Sequence, residues 1–370
     1  MNVNLNIKPN EQIRSFYLFF IIASIQIGVG IMGVPRLIYK EAGRDAWLSV
    51  LIAFCYISLL LAVMLFMLKQ YKNADIFSIQ TDIFGTFIGK VLGTFYIVYF
   101  MFNLFTVLIT YVEVLTIFIF PELNKTVMSL LLMSLVIYSV LGGIRVIVGI
   151  CFLFFIFSHW LAVLLIEPIM DMDWTHFQPM FQASFTELLK GAKQTSYTLT
   201  GIELLFLLYP FIQYKKTAKF PVFLGVVFSC FTILIATVLV TGYFTPEGID
   251  SREWSVLGLF KSQSFSFLER FDYIVVAEWM MVSLPNMVLF SWAVTYGLKR
   301  LYHIPQKKSL YILGAATVIT SIFTNEHYII QTVINITAQM GIWIVYVYPF
   351  ILLPFVLFKR KLKKRRKVDG

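Results

Sequence analysis

Charge is scarce in this chain: Asp, Glu, Lys and Arg supply 14% of its residues, where soluble domains carry about 25%. Apolar residues reach 59%, with 37 Phe and 19 Tyr, which excludes a water-facing surface of ordinary extent and leaves a membrane composition. Cysteine is also sparse. Cys55, Cys151 and Cys230 each lie inside an apolar segment, and three thiols so placed exclude a disulfide framework and leave core or lipid-side packing. The four histidines, at 159, 176, 303 and 327, are scattered. There is no Cys/His metal spacing, no glycine-rich phosphate loop opening a soluble helix and no nucleophile beside a base, so neither an enzyme nor a metal or cofactor site is expected. The first dozen residues, MNVNLNIKPNEQ, lack a basic segment followed by a short apolar core and a small-residue cleavage site, and the first helix is expected to be retained.

What the chain does have is a series of apolar runs, each about twenty residues long and so able to cross ~30 Å of hydrocarbon at ~1.5 Å per residue. Their polar punctuation predicts spans near 12–42, 46–68, 91–120, 126–143, 146–166, 185–213, 219–243, 271–298, 309–325 and 331–357. Hydrocarbon admits only helices or closed barrels. These runs are continuous rather than alternating, so an all-α polytopic membrane protein of about ten transmembrane helices is expected, with residues 1–370 forming a single membrane domain.

Basic residues set the orientation, because cytoplasmic loops retain Lys and Arg. With both termini cytoplasmic, twenty of the thirty basic residues lie inside and nine outside, Arg14 being within the first span. The net charge of +10 is largely this asymmetry, and the tail at 358–370, with KRKLKKRRK, carries eight of the cations. Such a cluster beside a helix end reads as contact with anionic membrane lipid rather than with nucleic acid.

Laying the first five spans over the last five predicts an inverted repeat, since an odd number of helices per half turns the second copy upside down. The second spans start 173 residues apart (46 and 219), the third 180 apart (91 and 271) and the fourth 183 apart (126 and 309). Repeat one is placed at about 12–166 and repeat two at about 185–357. The long connections before the third spans, 69–90 and 244–270, each carry a short helical pattern, IFSIQTDIFG and SREWSVLGLF.

The first span holds Gly28, Gly30, Gly33 and Pro35 within eight residues. Glycine permits unusual torsions and proline removes a donor and disfavours helix before it, so the span is expected to unwind there. An unwound turn exposes N–H groups of one half-helix and carbonyls of the other, which suit a carboxylate and an ammonium. The sixth span has its own weak stretch from Thr195 to Glu203, with Gly201 lying 171 residues after Gly30. Close helix packing is the plainer use of a lone small-residue pair in a membrane helix; two interruptions at matching repeat positions favour a binding site.

These residues resemble a known superfamily. The pattern Gly28, Gly30, Ile31, Pro35, with Gly201 and Glu203 in the sixth span, is similar to that of the amino acid/polyamine/organocation transporters. A narrower resemblance, over nearly the whole chain, is to the spore germination permease family, the B subunits of nutrient germinant receptors. It rests on Gly201-Ile202-Glu203-Leu204-Leu205-Phe206 followed by Tyr209-Pro210 and Lys215-Lys216, on Leu268-Glu269-Arg270-Phe271-Asp272 before Trp279, on Gly297-Leu298-Lys299-Arg300, and on the basic C-terminus. The resemblance implies a LeuT-like five-plus-five fold with the first and sixth helices interrupted. It also implies a small-molecule nutrient site between the first, third, sixth, eighth and tenth helices, residence in the spore inner membrane or the bacterial cell membrane, and work alongside receptor A and C subunits.

The expected ligand-binding residues are Gly28, Val29, Gly30 and Ile31 at the first interruption and Tyr197, Thr198, Leu199, Thr200, Gly201 and Glu203 at the second. Asn103 and Thr106, on one face of the third span, and Ser283 and Asn286 in the eighth complete the set, while Asn335, Thr337 and Gln339 in the tenth are placed to join them. Ionisable residues inside a bilayer are costly. Glu203 is read either as a ligand or proton partner or as a prop for the second half-helix. Glu113 and Glu278 are read as partly hydrated near span ends, and His159 as a satisfied core or interfacial residue. The function expected is a germinant-receptor subunit that binds an amino acid or similar nutrient and triggers germination. The alternative is a proton- or sodium-coupled amino-acid transporter, and a scaffold with a vestigial site is a third class.

The charge asymmetry generates a test. A thiol reagent applied to oriented vesicles should label Asp171→Cys or Asp250→Cys from the face opposite the termini; labelling from the cytoplasmic face alone would overturn the orientation.

Overall fold

The computed structural model describes residues 4–261, 271–324 and 326–368, and regular structure there is helical apart from one parallel bridge, Ile13 beside Ile212. Helix α1 (Leu18–Gln26) stops at the first glycine pair, a 3-10 turn (Val29–Met32) follows, and α2 (Val34–Ala42) resumes with Pro35 in its first turn, where its missing N–H is harmless. After α3 (Ala46–Gln70), α4 (Ile76–Phe118) contains both the expected connection helix and the third span, turning at Gly85. Helices α5 (Lys125–Leu141), α6 (Ile144–Ser158) and α7 (Ile166–Met170) complete the first part, with 3-10 geometry at His159–Leu165.

Helix α8 (Phe185–Thr198) opens on a capping box, in which the Ser184 hydroxyl accepts from the Glu187 N–H and the Glu187 carboxylate accepts from the Ser184 N–H. It breaks at Leu199–Gly201 and continues through α9 (Leu205–Leu208). There follow α10 (Lys219–Tyr243), α11 (Pro246–Asp250), α12 (Ser255–Lys261), α13 (Phe271–Glu278), α14 (Met280–Tyr302) and α15 (Gln306–Ile322). Finally α16 (His327–Gly341) passes through a π turn (Ile342–Val347) into α17 (Tyr348–Val368).

Both expected interruptions are present, and each expected span range falls on helix. Six described stretches are long and apolar enough to cross a membrane, with Ser15–Gln26, Lys125–Leu141 and Ile202–Phe211 as shorter apolar helices; breaking a span in two leaves each piece short. Residues 268–270 of the family-like segment lie outside the described residues, as do the side chains of the tail from 363 onward. Helix α14 is buried on every side from Val282 to Gly297 and lies along α4 at the centre. Leu130, Leu131 and Tyr138 on α5 and Ile312 and Ile319 on α15 are exposed, as a hydrocarbon-facing ring must be.

Polar contacts sort the connections into two ends. At one end the Arg145 guanidinium donates to the carbonyl of Pro9, the Leu5 N–H donates to Asn73, and the Gln213 N–H donates to Ile13. Here Asp75 caps α4 by accepting from the Ser78 N–H at 2.8 Å, and its other oxygen receives Tyr296 Oη at 2.7 Å and Arg300 Nε at 2.8 Å. At the other end the buried Asp45 carboxylate accepts the N–H groups of Phe181, Gln182 and Ala183 at 2.7, 2.6 and 2.9 Å. Arg36 donates to the Asp250 carbonyl there, while Lys40 pairs with the Asp250 carboxylate.

Asp75 is fully buried and Arg300 partly exposed, so removing the carboxylate strands a charge that solvent reaches in part, at a cost below the ~3–5 kcal/mol of a fully buried pair. Asp75→Ala should therefore lower the unfolding midpoint in detergent by several degrees, and Asp75→Asn with Arg300→Met should recover part of the loss. An unchanged midpoint for Asp75→Ala would show that the pair does not hold α4 to α14.

Candidate functional site

The two interruptions meet at a cavity of about 370 Å³. The first presents Gln26, Gly28, Val29 and Gly30, α4 adds Asn103, Thr106 and Thr110, and the end of α8 adds Gln194, Tyr197, Thr198 and Thr200. Helix α14 contributes Asn286 and Phe290, and α16 contributes Gln331, Asn335 and Thr337. Arg36, Glu253 and Trp254 line it from one end of the bundle.

Contact between the interruptions is close. A Cβ on Gly30 would lie 3.3 Å from the Thr198 hydroxyl and one on Gly28 3.4 Å from the Asn286 amide, so the glycines let these polar side chains approach the backbone. The torsions of Gly28 are extended, and the 3-10 turn begins at Val29; the first N–H groups of such a turn have no acceptor within it and belong to the cavity wall. The opposing carbonyls are partly engaged already. Asn286 Nδ2 donates to the Ser24 and Val282 carbonyls, both at 2.9 Å, and Gln26 Nε2 donates to the Leu199 carbonyl at 3.0 Å. The Oε1 atom of fully buried Gln26 has no hydrogen-bond partner in the protein, which leaves an acceptor at the cavity wall.

Of the expected binding residues, Gly28, Val29, Gly30, Asn103, Thr106, Tyr197, Thr198, Thr200 and Asn286 line the cavity. Ile31, Leu199, Gly201, Glu203 and Ser283 do not. Ser283 is buried within α14 and donates to the Trp279 carbonyl. Gly201 adopts φ +103°, which only glycine takes readily, and its missing Cβ would sit 2.4 Å from Ile25 Cγ1. It therefore faces α1 rather than ligand space. Glu203 is the prop: its carboxylate accepts the Gly201 N–H at 2.8 Å where the second half-helix starts. Thr106 and Thr337 share a 2.8 Å hydroxyl contact across the cavity, whereas Gln339 faces away into another cleft.

Glu113 also departs from expectation. It is buried, not hydrated, and accepts from His327 Nδ1 at 2.8 Å; His327 Nε2 lies 3.6 Å from Glu253, which in turn accepts from Gln331 at 2.6 Å. Glu278 accepts from the Trp160 indole, and His159 bonds the Phe155 carbonyl and stacks on its ring. Gln26, Arg36, Thr110, Gln194, Glu253, Trp254, Phe290 and Gln331 are among the lining residues that the sequence reading missed. Gln26 carried a signal, being the one amide in the apolar run before Gly28.

Residues 12–329 match the family described as spore germination proteins. The chain is 30% identical to spore germination protein GerQB of Bacillus cereus, over 96% of this chain and 98% of that one. It is 22% identical to spore germination protein B2 of Bacillus subtilis (strain 168), over 86% and 87% of the two chains. Among solved structures it resembles a Na+-coupled sialic acid symporter in its substrate-bound outward-open state, with TM-score 0.66 at 10% identity, covering 91% of this chain and 80% of that one. It also resembles the Eremococcus coleocola manganese transporter, with TM-score 0.63 at 10% identity, covering 95% and 81%. The transporter-like fold expected from the sequence is the one observed.

If Gly201 serves the path of the chain, Gly201→Ala should destabilise the protein by about 1–3 kcal/mol, and it should cost less in an Ile25→Ala background, which lacks the Cγ atoms that the new Cβ meets. An equal cost in both backgrounds would show that the clash with α1 is not the cause.

Proposed function

The chain belongs to the spore germination protein family, and from that premise we propose that it is the nutrient-binding B subunit of a germinant receptor, working with A and C subunits in the spore inner membrane. Its ligand is an amino acid or a similarly small zwitterion. The carboxylate sits on the N–H groups at Gly28–Gly30, favoured by the start of the helical turn. The ammonium faces Gln26 Oε1 together with the hydroxyls and amides of Thr198, Asn103 and Asn286. Gln26 Oε1 is the observation that carries this reading: a buried acceptor without a protein partner costs about 1–3 kcal/mol unless something in the cavity donates to it.

The sodium-coupled form of the transporter reading requires a cation at the interrupted helices. Against it stand the Ser24 and Leu199 carbonyls, which accept from neutral amides of Asn286 and Gln26, so that no ion is needed to satisfy them. The receptor reading uses the same cavity, with ligand-dependent closure passed to partner subunits.

Purified protein should be stabilised by one or a few members of a panel of L-amino acids, since a ligand that binds only the folded state raises the melting temperature. The matching decarboxylated and deaminated analogues should neither stabilise nor compete. Gly30→Leu fills the gap to Thr198 without lowering the hydrophobicity of its span, and it should abolish both the shift and the germination response at normal protein levels. A Gly30→Leu protein made normally and responding at wild-type concentrations would remove the claim.

A further inference from the structure

Several polar side chains around the cavity have already committed their hydrogens to main-chain carbonyls. Asn286 Nδ2 carries two, which go to Ser24 and Val282. The Thr200 hydroxyl donates to Tyr197 at 3.0 Å and the Gln26 amide nitrogen to Leu199. A hydroxyl has a single hydrogen to give. That of Thr337 goes to the Val333 carbonyl at 2.8 Å, so in the 2.8 Å contact between Thr337 and Thr106 it is Thr106 that donates. Thr106 then has no hydrogen left and meets anything else only as an acceptor. Among the described residues, none donates to it.

Thr106 follows Asn103 by one turn of α4, ~4.5 Å along the helix, and both line the cavity together with Thr337 of α16. The rest of this wall is largely apolar, with Val107, Ile334 and Ala338. Thr110, whose hydroxyl has no partner, and the exposed Asn335 also line it and can turn either way, so neither sets a preference. Trp254 Nε1, a buried donor without a partner, belongs to the Arg36 end and not to this wall.

Given a zwitterion seated as proposed above, with its carboxylate at Gly28–Gly30 and its ammonium at Asn103, Asn286 and Gln26, the side chain of the ligand is the group left to meet the α4–α16 wall. An aliphatic side chain would cover the Thr106 lone pairs and give them no donor, which is costly for a buried acceptor. A carboxylate would set acceptor against acceptor. A hydroxyl, amide or amine supplies the missing hydrogen. We infer that the nutrient is an amino acid whose side chain donates a hydrogen bond, and that Thr106 is the acceptor that selects it.

Melting temperatures of the purified full-length protein, measured against the standard L-amino acids, test this. The strongest stabiliser should carry a side-chain donor. Its counterpart without one (α-aminobutyrate for serine, valine for threonine, glutamate for glutamine, norleucine for lysine) should need a concentration about tenfold higher for the same shift. Thr106→Val keeps the shape and removes the acceptor, and it should bring the two ligands together, whereas Thr106→Ser should preserve the gap. Thr337→Val frees the Thr106 hydrogen and should also narrow the gap, which gives a second route to the same residue if Thr106→Val fails to fold. A strongest stabiliser with an aliphatic or carboxylate side chain would overturn the inference and leave the amino-acid reading standing. No shift with any amino acid would overturn both. A gap that survives undiminished in Thr106→Val or in Thr337→Val would overturn the assignment of Thr106.

Discussion

Hydrocarbon offers no hydrogen bonds, so a helix that breaks inside a membrane must find partners for the backbone groups it frees. That constraint organises the centre of this protein. The carbonyl of Ser24 is met by Asn286, that of Leu199 by Gln26 and that of Ser196 by Tyr346, while the N–H of Gly201 is met by Glu203. Four side chains from four different segments thus hold open two gaps in the main chain. What they leave unanswered, at the start of the turn after Gly28 and at Gln26 Oε1, belongs to residues that line one small cavity. The cavity's polar lining is in this sense the remainder of a satisfaction problem, not a feature added to a finished bundle.

The two ends of the bundle are fastened differently. Asp75, Tyr296, Arg300 and Ser78 form a set in which the carboxylate is sealed from solvent. At the far end the corresponding ties run through His327, whose side chain is half-exposed, and Glu253, which itself lines the cavity. The sealed set contributes nothing to the cavity lining, whereas Arg36, Glu253 and Trp254 at the other end do. The cavity therefore communicates with the 244–255 end of the molecule.

Local signals were readable from the sequence and pairings across the chain were not. The run Gly28 to Pro35 announces its interruption because glycine and proline act on their own torsions, and the long apolar runs announce helices for an equally local reason. Which neighbour an interruption faces depends on the tertiary path: Gly30 meets Thr198, whereas Gly201, chosen by the same reasoning, meets Ile25. Glu113 looked hydrated because its partner His327 is 214 residues away. Thr337 and Gln339 are two residues apart, hence on roughly opposite sides of a helix, and sequence alone offered no means of choosing which of them lines the central cavity.

The Asp45 clamp bears on how the molecule is handled in the laboratory. The stretch joining α7 to α8 has the length and polarity of a slack linker, yet its last part is pinned by three backbone donors to a single carboxylate at the corner between α2 and α3. An epitope inserted there, or a split into two separately expressed polypeptides, disturbs that corner and not merely a tether. The short turn between α4 and α5 is exposed at Phe120, Pro121 and Glu122 and bears no such clamp among the described residues, so it is the permissive place for a foreign sequence.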